Sequence, residues 1–79
     1  MELNGKVVVV TGGASGIGTG LCRRFREEGV RALIIADLNG EAVAALADEL
    51  DAVGVTLDVR DEAAIAAMVS EVEAQFGQI

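Results

Sequence analysis

The chain has 79 residues, enough for one small domain, and its 52% hydrophobic content describes a packed globule and not a disordered segment. A formal net charge of −7 opposes nucleic acid or an anionic membrane as a general partner. No apolar run approaches the roughly 18 residues of a membrane span, and Met1-Glu2-Leu3-Asn4 has neither the basic start nor the apolar core of a signal peptide, so a cytosolic setting is expected.

Strand-like and helix-like segments alternate along the sequence. Lys6 to Val10 is expected as a strand, Ile17 to Glu28 as a helix stopped by Gly29, and Ala32 to Ala36 as a second strand. Glu41 to Leu50 follows as a helix with Val43, Leu46 and Leu50 on one face, then Val55 to Leu57 as a short strand. The last helix, Glu62 to Phe76, carries Ile65, Met68, Val69, Val72 and Phe76 at helical spacing and ends at Gly77. This β-α-β-α-β-α order implies an α/β fold of the Rossmann type, a doubly wound parallel sheet with right-handed crossovers and strand order 3-2-1.

That order raises a physical difficulty. Val7 to Val10 is apolar on both faces, as befits a central strand covered by helices, yet in the order 3-2-1 it is an edge. An all-valine edge with unpaired amides invites aggregation. Residues 1–79 therefore read as the first half of a sheet, truncated before strand four.

The chemistry is concentrated in Thr11 to Gly18, TGGASGIG, between the first strand and the first helix. An anionic phosphate touches main-chain N–H groups only where no Cβ intervenes, and Gly12, Gly16 and Gly18 supply that clearance. The helix that begins near Ile17 adds about half a positive charge at its start. The general fingerprint G-x-G-x-x-G is absent, because Leu21 stands where its last glycine belongs; the spacing here is G-x-x-x-G-x-G. Asp37 ends the second apolar run, 19 positions after Gly18, where an acidic residue is expected to accept hydrogen bonds from the adenosine ribose and to repel a 2′-phosphate. It also suits the turn Asp37-Leu38-Asn39-Gly40 on local grounds.

At these residues the sequence resembles the short-chain dehydrogenase/reductase family. The opening LNGKVVVVTGGASGIG, Leu3 to Gly18, matches that family's apolar strand followed by T-G-x-x-x-G-[IL]-G, and the similarity runs on through Asp37, Asp58-Val59 and the closing helix. It covers the N-terminal part of a family member, which makes residues 1–79 part of a single dinucleotide-binding domain. The resemblance implies that Gly12, Gly16, Ile17 and Gly18 surround the pyrophosphate, that Ser15 lies near the adenosine ribose, and that Asp37 and Leu38 flank that ribose. Ser15 and Leu38 occupy places where phosphate-preferring relatives tend to carry Arg or Lys, so the expected cofactor is NAD(H) and not NADP(H). Asp58 is implied to accept from the adenine amino group, with Val59 presenting backbone and an apolar surface. Asp58 and Asp61 also precede a helix, where acidic residues are good caps, so both readings of Asp58 stand.

The resemblance further implies hydride transfer between NAD(H) and an alcohol or ketone, with a Tyr-x-x-x-Lys pair and a Ser handling the substrate oxygen, and a dimer or tetramer as the full-length assembly. None of the catalytic trio maps here: the chain has no Tyr and no His, its one lysine is Lys6, and its serines are Ser15 and Ser70. No catalytic residue and no metal cluster is expected within these residues. Thr11 is assigned to loop structure, and Gly13 to turn or contact. Cys22 is expected as a small buried hydrophobe among Ile17, Leu21 and Phe25. Arg23, Arg24 and Arg26 are expected as a solvated face screened by Glu27 and Glu28. Two other classes compete with the dehydrogenase reading: a methyltransferase dependent on S-adenosylmethionine, whose glycine-rich loop Gly16-Ile17-Gly18-Thr19-Gly20 superficially suits, and a non-catalytic nucleotide-binding module.

Overall fold

Valine, leucine and isoleucine runs become strands here because both faces of the sheet are covered. In the computed structural model, which describes residues 5–12 and 16–79, the elements in order are β1 (Val7–Thr11), α1 (Gly16–Glu27), β2 (Ala32–Asp37), α2 (Gly40–Leu50), β3 (Val53–Thr56) and α3 (Glu62–Phe76). The described strands form one parallel sheet in the order β1-β2-β3, with Val7 opposite Ala32 and Ile34 opposite Val53. This is the expected α/β Rossmann-type arrangement, with strand order 3-2-1. Gly13 and Ser15 lie outside the described residues.

Alternation along the strands sends side chains to two cores. On one face Val7, Ala32, Ile34 and Ala36 pack with Leu57 and with Met68 and Val72 of α3. On the other, Val10, Leu33 and Ile35 pack with Cys22 of α1, Leu46 of α2 and Val30. The central strand β2 is sealed by both layers, Leu33, Ile34 and Ile35 being at most 1% exposed. Each such side chain contributes about 1.5–3 kcal/mol relative to an exposed one. β1, with a neighbour on one side among the described residues, leaves Val8 and Val9 only half-buried.

The helix ends follow local capping chemistry. Asn39 caps α2 by accepting from the Ala42 N–H at 3.1 Å, which starts that helix at Gly40, one residue before the expected Glu41. Asp61 caps α3 by accepting from the Ala64 N–H at 3.1 Å. Gly29 and Gly77 adopt φ of +77° and +95°, which stops α1 and α3 close to where the sequence placed their ends. Asp51, in the left-handed region at φ +53°, ends α2, and its own carbonyl and that of Leu50 accept from the Arg26 guanidinium at 3.0 and 2.8 Å.

Two expectations change. β3 runs from Val53 to Thr56 and not from Val55 to Leu57, because pairing with β2 begins as soon as the chain leaves the Asp51 turn. Gly54 then sits inside the strand: a Cβ there would lie 2.7 Å from Val43 Cγ1, so its bareness lets α2 press against β3. The second concerns α1. Gly18, Cys22 and Phe25 face the sheet, whereas Ile17 and Leu21 are 84% and 45% exposed, so of the expected neighbours only Phe25 shares the core with Cys22, alongside Val10, Val30, Leu33, Ile35 and Leu46.

The arginines on α1 behave as structural groups. Arg24 pairs with Glu28 at 3.0 Å as expected, Arg23 reaches across to Glu49 of α2 with its Nε 3.0 Å from Oε2, and Arg26 is spent on backbone carbonyls. No helix among the described residues is long and apolar enough to cross a membrane.

Candidate functional site

All three strands end on the same side of the sheet, and in open α/β sheets the crevice outside those carboxyl ends is where ligands bind. A hollow of about 220 Å³ occupies that place, lined by Thr11, Gly12, Asp37, Leu38, Leu57 and Val59. Each strand contributes the residues at or just past its end. A larger hollow of about 430 Å³ lies between β3 and α3, but its walls are mainly aliphatic, with Glu71 and Gln75 among the few polar side chains. Size favours the second; convergent polar groups and loop chemistry favour the first.

Gly12 is the hinge of the first hollow. Its N–H donates to the Ala36 carbonyl at 2.8 Å, carrying the β1–β2 ladder one step past Thr11, and its φ of +69° turns the chain away. Among the described residues, a Cβ at Gly12 or Gly16 would meet nothing within 4 Å, so no described group fills the space glycine leaves at these two positions. α1 differs from its fellow helices in electrostatics: α2 and α3 carry Glu41 and Glu62 in their first turns, and α1 carries no acidic residue there. The positive end of its dipole is thus not neutralised by its own first turn. Gly12, with its open side and bare N-terminal helix nearby in sequence, suits an anionic group, and Asp37 suits hydroxyl donors; together they fit a nucleotide.

Asp37 serves the turn expected of it, adds a bond to β3 that the sequence did not announce, and remains on the wall of the hollow. Its Oδ1 accepts from the Asn39 N–H at 3.3 Å and its carbonyl from the Leu57 N–H at 3.0 Å, which ties the end of β2 to the end of β3. Its side chain is half-buried, while Leu38 beside it is 60% exposed. Val59, 48% exposed, offers apolar surface across the hollow. No described side chain supplies a positive charge to this wall.

Of the sequence-predicted residues, Gly12, Asp37, Leu38 and Val59 meet in one hollow. Gly16, Ile17 and Gly18 form the first turn of α1 without lining it, Gly18 buried and Ile17 facing solvent. Ser15 lies outside the described residues. Asp58 stands between the lining residues Leu57 and Val59 without lining the hollow itself. It does not cap α3, a task Asp61 performs; its carboxylate is held by Arg60, whose guanidinium keeps the Asp58 carboxyl below the usual carboxylate range. Sequence reasoning missed Thr11 and Leu57 as wall residues: Thr11, assigned to loop structure, is the last residue of β1 and pairs with Ala36, and Leu57 directly follows β3. It also missed Arg60, whose signal was the two-residue spacing from Asp58 that a turn brings together.

Comparison with known proteins returns one consistent picture. The family described as short chain dehydrogenase matches residues 6–79. The 2-dehydro-3-deoxy-L-rhamnonate dehydrogenase (NAD(+)) of Sphingomonas sp. (strain SKA58) is 45% identical over 76 residues, covering 95% of this chain and 30% of that protein. A short chain dehydrogenase/reductase from Burkholderia phymatum, solved in complex with NAD, superposes with a TM-score of 0.93 at 31% identity, over 100% of this chain and 30% of that one. The 3-ketoacyl-(acyl-carrier-protein) reductase from Brucella melitensis, complexed with NADH, gives 0.88 at 33% identity, over 98% and 32%. The chain thus spans about 30% of the length of the curated relatives it matches.

Proposed function

This chain belongs to the short-chain dehydrogenase/reductase family, and from that premise we propose that it forms the NAD(H)-binding part of an oxidoreductase acting on an alcohol or carbonyl compound. The observation that carries the proposal is the convergence of Gly12, Asp37, Leu38 and Val59 on one hollow at the carboxyl ends of the strands. When bound, the dinucleotide supplies or accepts the hydride. The residues here bind and orient it.

Gly12 and Gly16 let the diphosphate approach main-chain N–H groups, with Ile17, Gly18 and the start of α1 adding dipole, and Ser15 beside the ribose. Asp37 accepts from the ribose hydroxyls, Leu38 leaves no cation for a 2′-phosphate, and Asp58 with Val59 receives the adenine. In support, the solved neighbours from Burkholderia phymatum and Brucella melitensis carry NAD and NADH. Proton transfer is not assigned to these residues: the chain has no Tyr and no His, and Ser70 lies exposed on α3. A small alcohol or ketone as substrate and a homo-oligomeric assembly belong to the same reading.

Calorimetric titration of the intact gene product with NAD, NADP and S-adenosylmethionine tests it. NAD is expected to bind most tightly, with heat from NADP much reduced. Binding of S-adenosylmethionine alone, or of none of the three, overturns the proposal.

A further inference from the structure

Among the described residues β3 is an edge of the sheet, paired with β2 on one side only. The Leu57 N–H donates to the Asp37 carbonyl of β2 at 3.0 Å, so by strand alternation the main-chain groups of Val53 and Val55 turn the same way and those of Gly54 and Thr56 turn outward. Of the sequence devices that usually blunt such an edge, Val53-Gly54-Val55-Thr56 has only shortness: it carries no charge and no proline. Side chains sort by the same alternation. Gly54 and Thr56 approach Val43 and Gly40 of α2, while Val55 and Leu57 pack with Met68 and Val72 of α3. Every residue from Val53 to Leu57 nevertheless lines the hollow of about 430 Å³, which therefore opens onto the backbone edge as well as onto the α3 face. α3 supplies the opposite wall at helical spacing, with Ala64 and Ala67 leaving the room and Glu71 the charge.

Charge says what suits this surface. α2 and α3, the helices on the two faces of β3, carry acidic residues and no lysine or arginine, and Glu71 has no ion-pair partner among the described residues. A second copy of the chain, itself at −7, meets repulsion here. We infer that the β3 edge and the hollow beside it accept an extended segment of a basic partner protein, which adds a strand to β3, sets apolar side chains beside Val53 and Val55, and brings a lysine or arginine to Glu71. Main-chain bonds to Gly54 and Thr56 then supply affinity, and the alternate side chains supply selectivity. Glu71 is not among the residues given to the coenzyme, so the two surfaces are tested separately.

The experiment titrates the intact gene product with the capped peptide Val-Lys-Val-Lys-Val and with its glutamate counterpart, in about 0.15 M salt so that long-range attraction is screened. The lysine peptide is expected to bind about tenfold or more tightly than the glutamate one, and to shift the amide resonances of Gly54 and Thr56. Glu71→Lys is expected to abolish or reverse that preference and to leave NAD binding unchanged. N-methylation of the peptide amides that face β3 is expected to remove binding, because a methylated amide has no proton to donate to the edge. Equal affinity for the two peptides, a preference untouched by Glu71→Lys, full binding of the methylated peptide, or resonance shifts confined to other surfaces would each overturn the inference. Dimers that form through Gly54 and Thr56 without peptide would overturn it too, since the edge would then belong to a second copy.

Discussion

At the scale of single residues, glycine and aspartate enter the proposed site for opposite reasons, one by lacking a side chain and the other by holding a charge. Gly16 lies at the start of α1 without a positive φ, and a Cβ there meets no atom of the described residues within 4 Å. Stability and binding are therefore expected to part company in Gly16→Ala: thermal melting should match or exceed that of the original chain, since Ala is the better helix former by up to about 1 kcal/mol, while NAD affinity falls. A variant that melts normally and binds NAD normally refutes the clearance argument for that glycine. Asp37→Ala removes an acceptor worth about 1.5–3 kcal/mol per hydrogen bond to a charged group. NAD affinity is expected to drop about tenfold or more, and the preference over NADP to narrow or reverse; a fixed NAD-to-NADP ratio of dissociation constants would show that Asp37 serves the turn alone.

Between elements, contact distance decides which substitutions are tolerated. Gly54 is where α2 meets β3, and an added methyl would lie 2.7 Å from Val43 Cγ1 and 3.3 Å from Ala47 Cβ. Gly54→Ala is expected to lower stability by about 1–3 kcal/mol through overpacking, read by denaturant unfolding, and Val43→Ala in the same chain should recover part of the loss. Additive destabilisation in the double variant would show that the two side chains do not share that space. The Arg23–Glu49 bridge ties α1 to α2 at the surface. The Arg23 guanidinium holds the Glu49 carboxyl below its usual range by hydrogen bonding and by charge. Whatever stability it confers is complete above the ordinary carboxylate range, near pH 4–5, and drains away as pH falls through the lowered value. Arg23→Ala is accordingly expected to flatten the acid side of the melting-temperature profile, with little effect at high salt.

For the molecule as a whole, two hydrophobic layers clamp one sheet, and Cys22 sits inside one of them with no exposed surface. Burial pushes its thiol pKa up, which disfavours the reactive thiolate. Modification by an aromatic disulfide reagent is expected to be negligible under native conditions and to rise with denaturant in step with the loss of helical circular dichroism. Rapid labelling of the native protein would mean that α1 opens locally from the sheet.

Periodicity was enough to establish the α/β class, the strand order and the last helix, because runs such as Ala32 to Ala36 and spacings such as Met68 with Val72 reflect burial that composition must provide in any register. The glycine spacing and the 19-residue step to Asp37 likewise pointed to Gly12 and Asp37, which the structure brings to one hollow, since loop conformation at Gly12 is a property of the residue itself. What only the tertiary structure decided was set by partners distant in sequence. Val53 joins β3 because Ile34 lies opposite, Gly54 is tolerated in a strand because Val43 presses on it, and Ile17 faces solvent because the sheet lies beneath Gly18 and Cys22. Asp58 is the plainest instance: its residue type suits a helix cap or a base contact equally well, and the structure gives the cap to Asp61 and pairs the Asp58 carboxylate with Arg60.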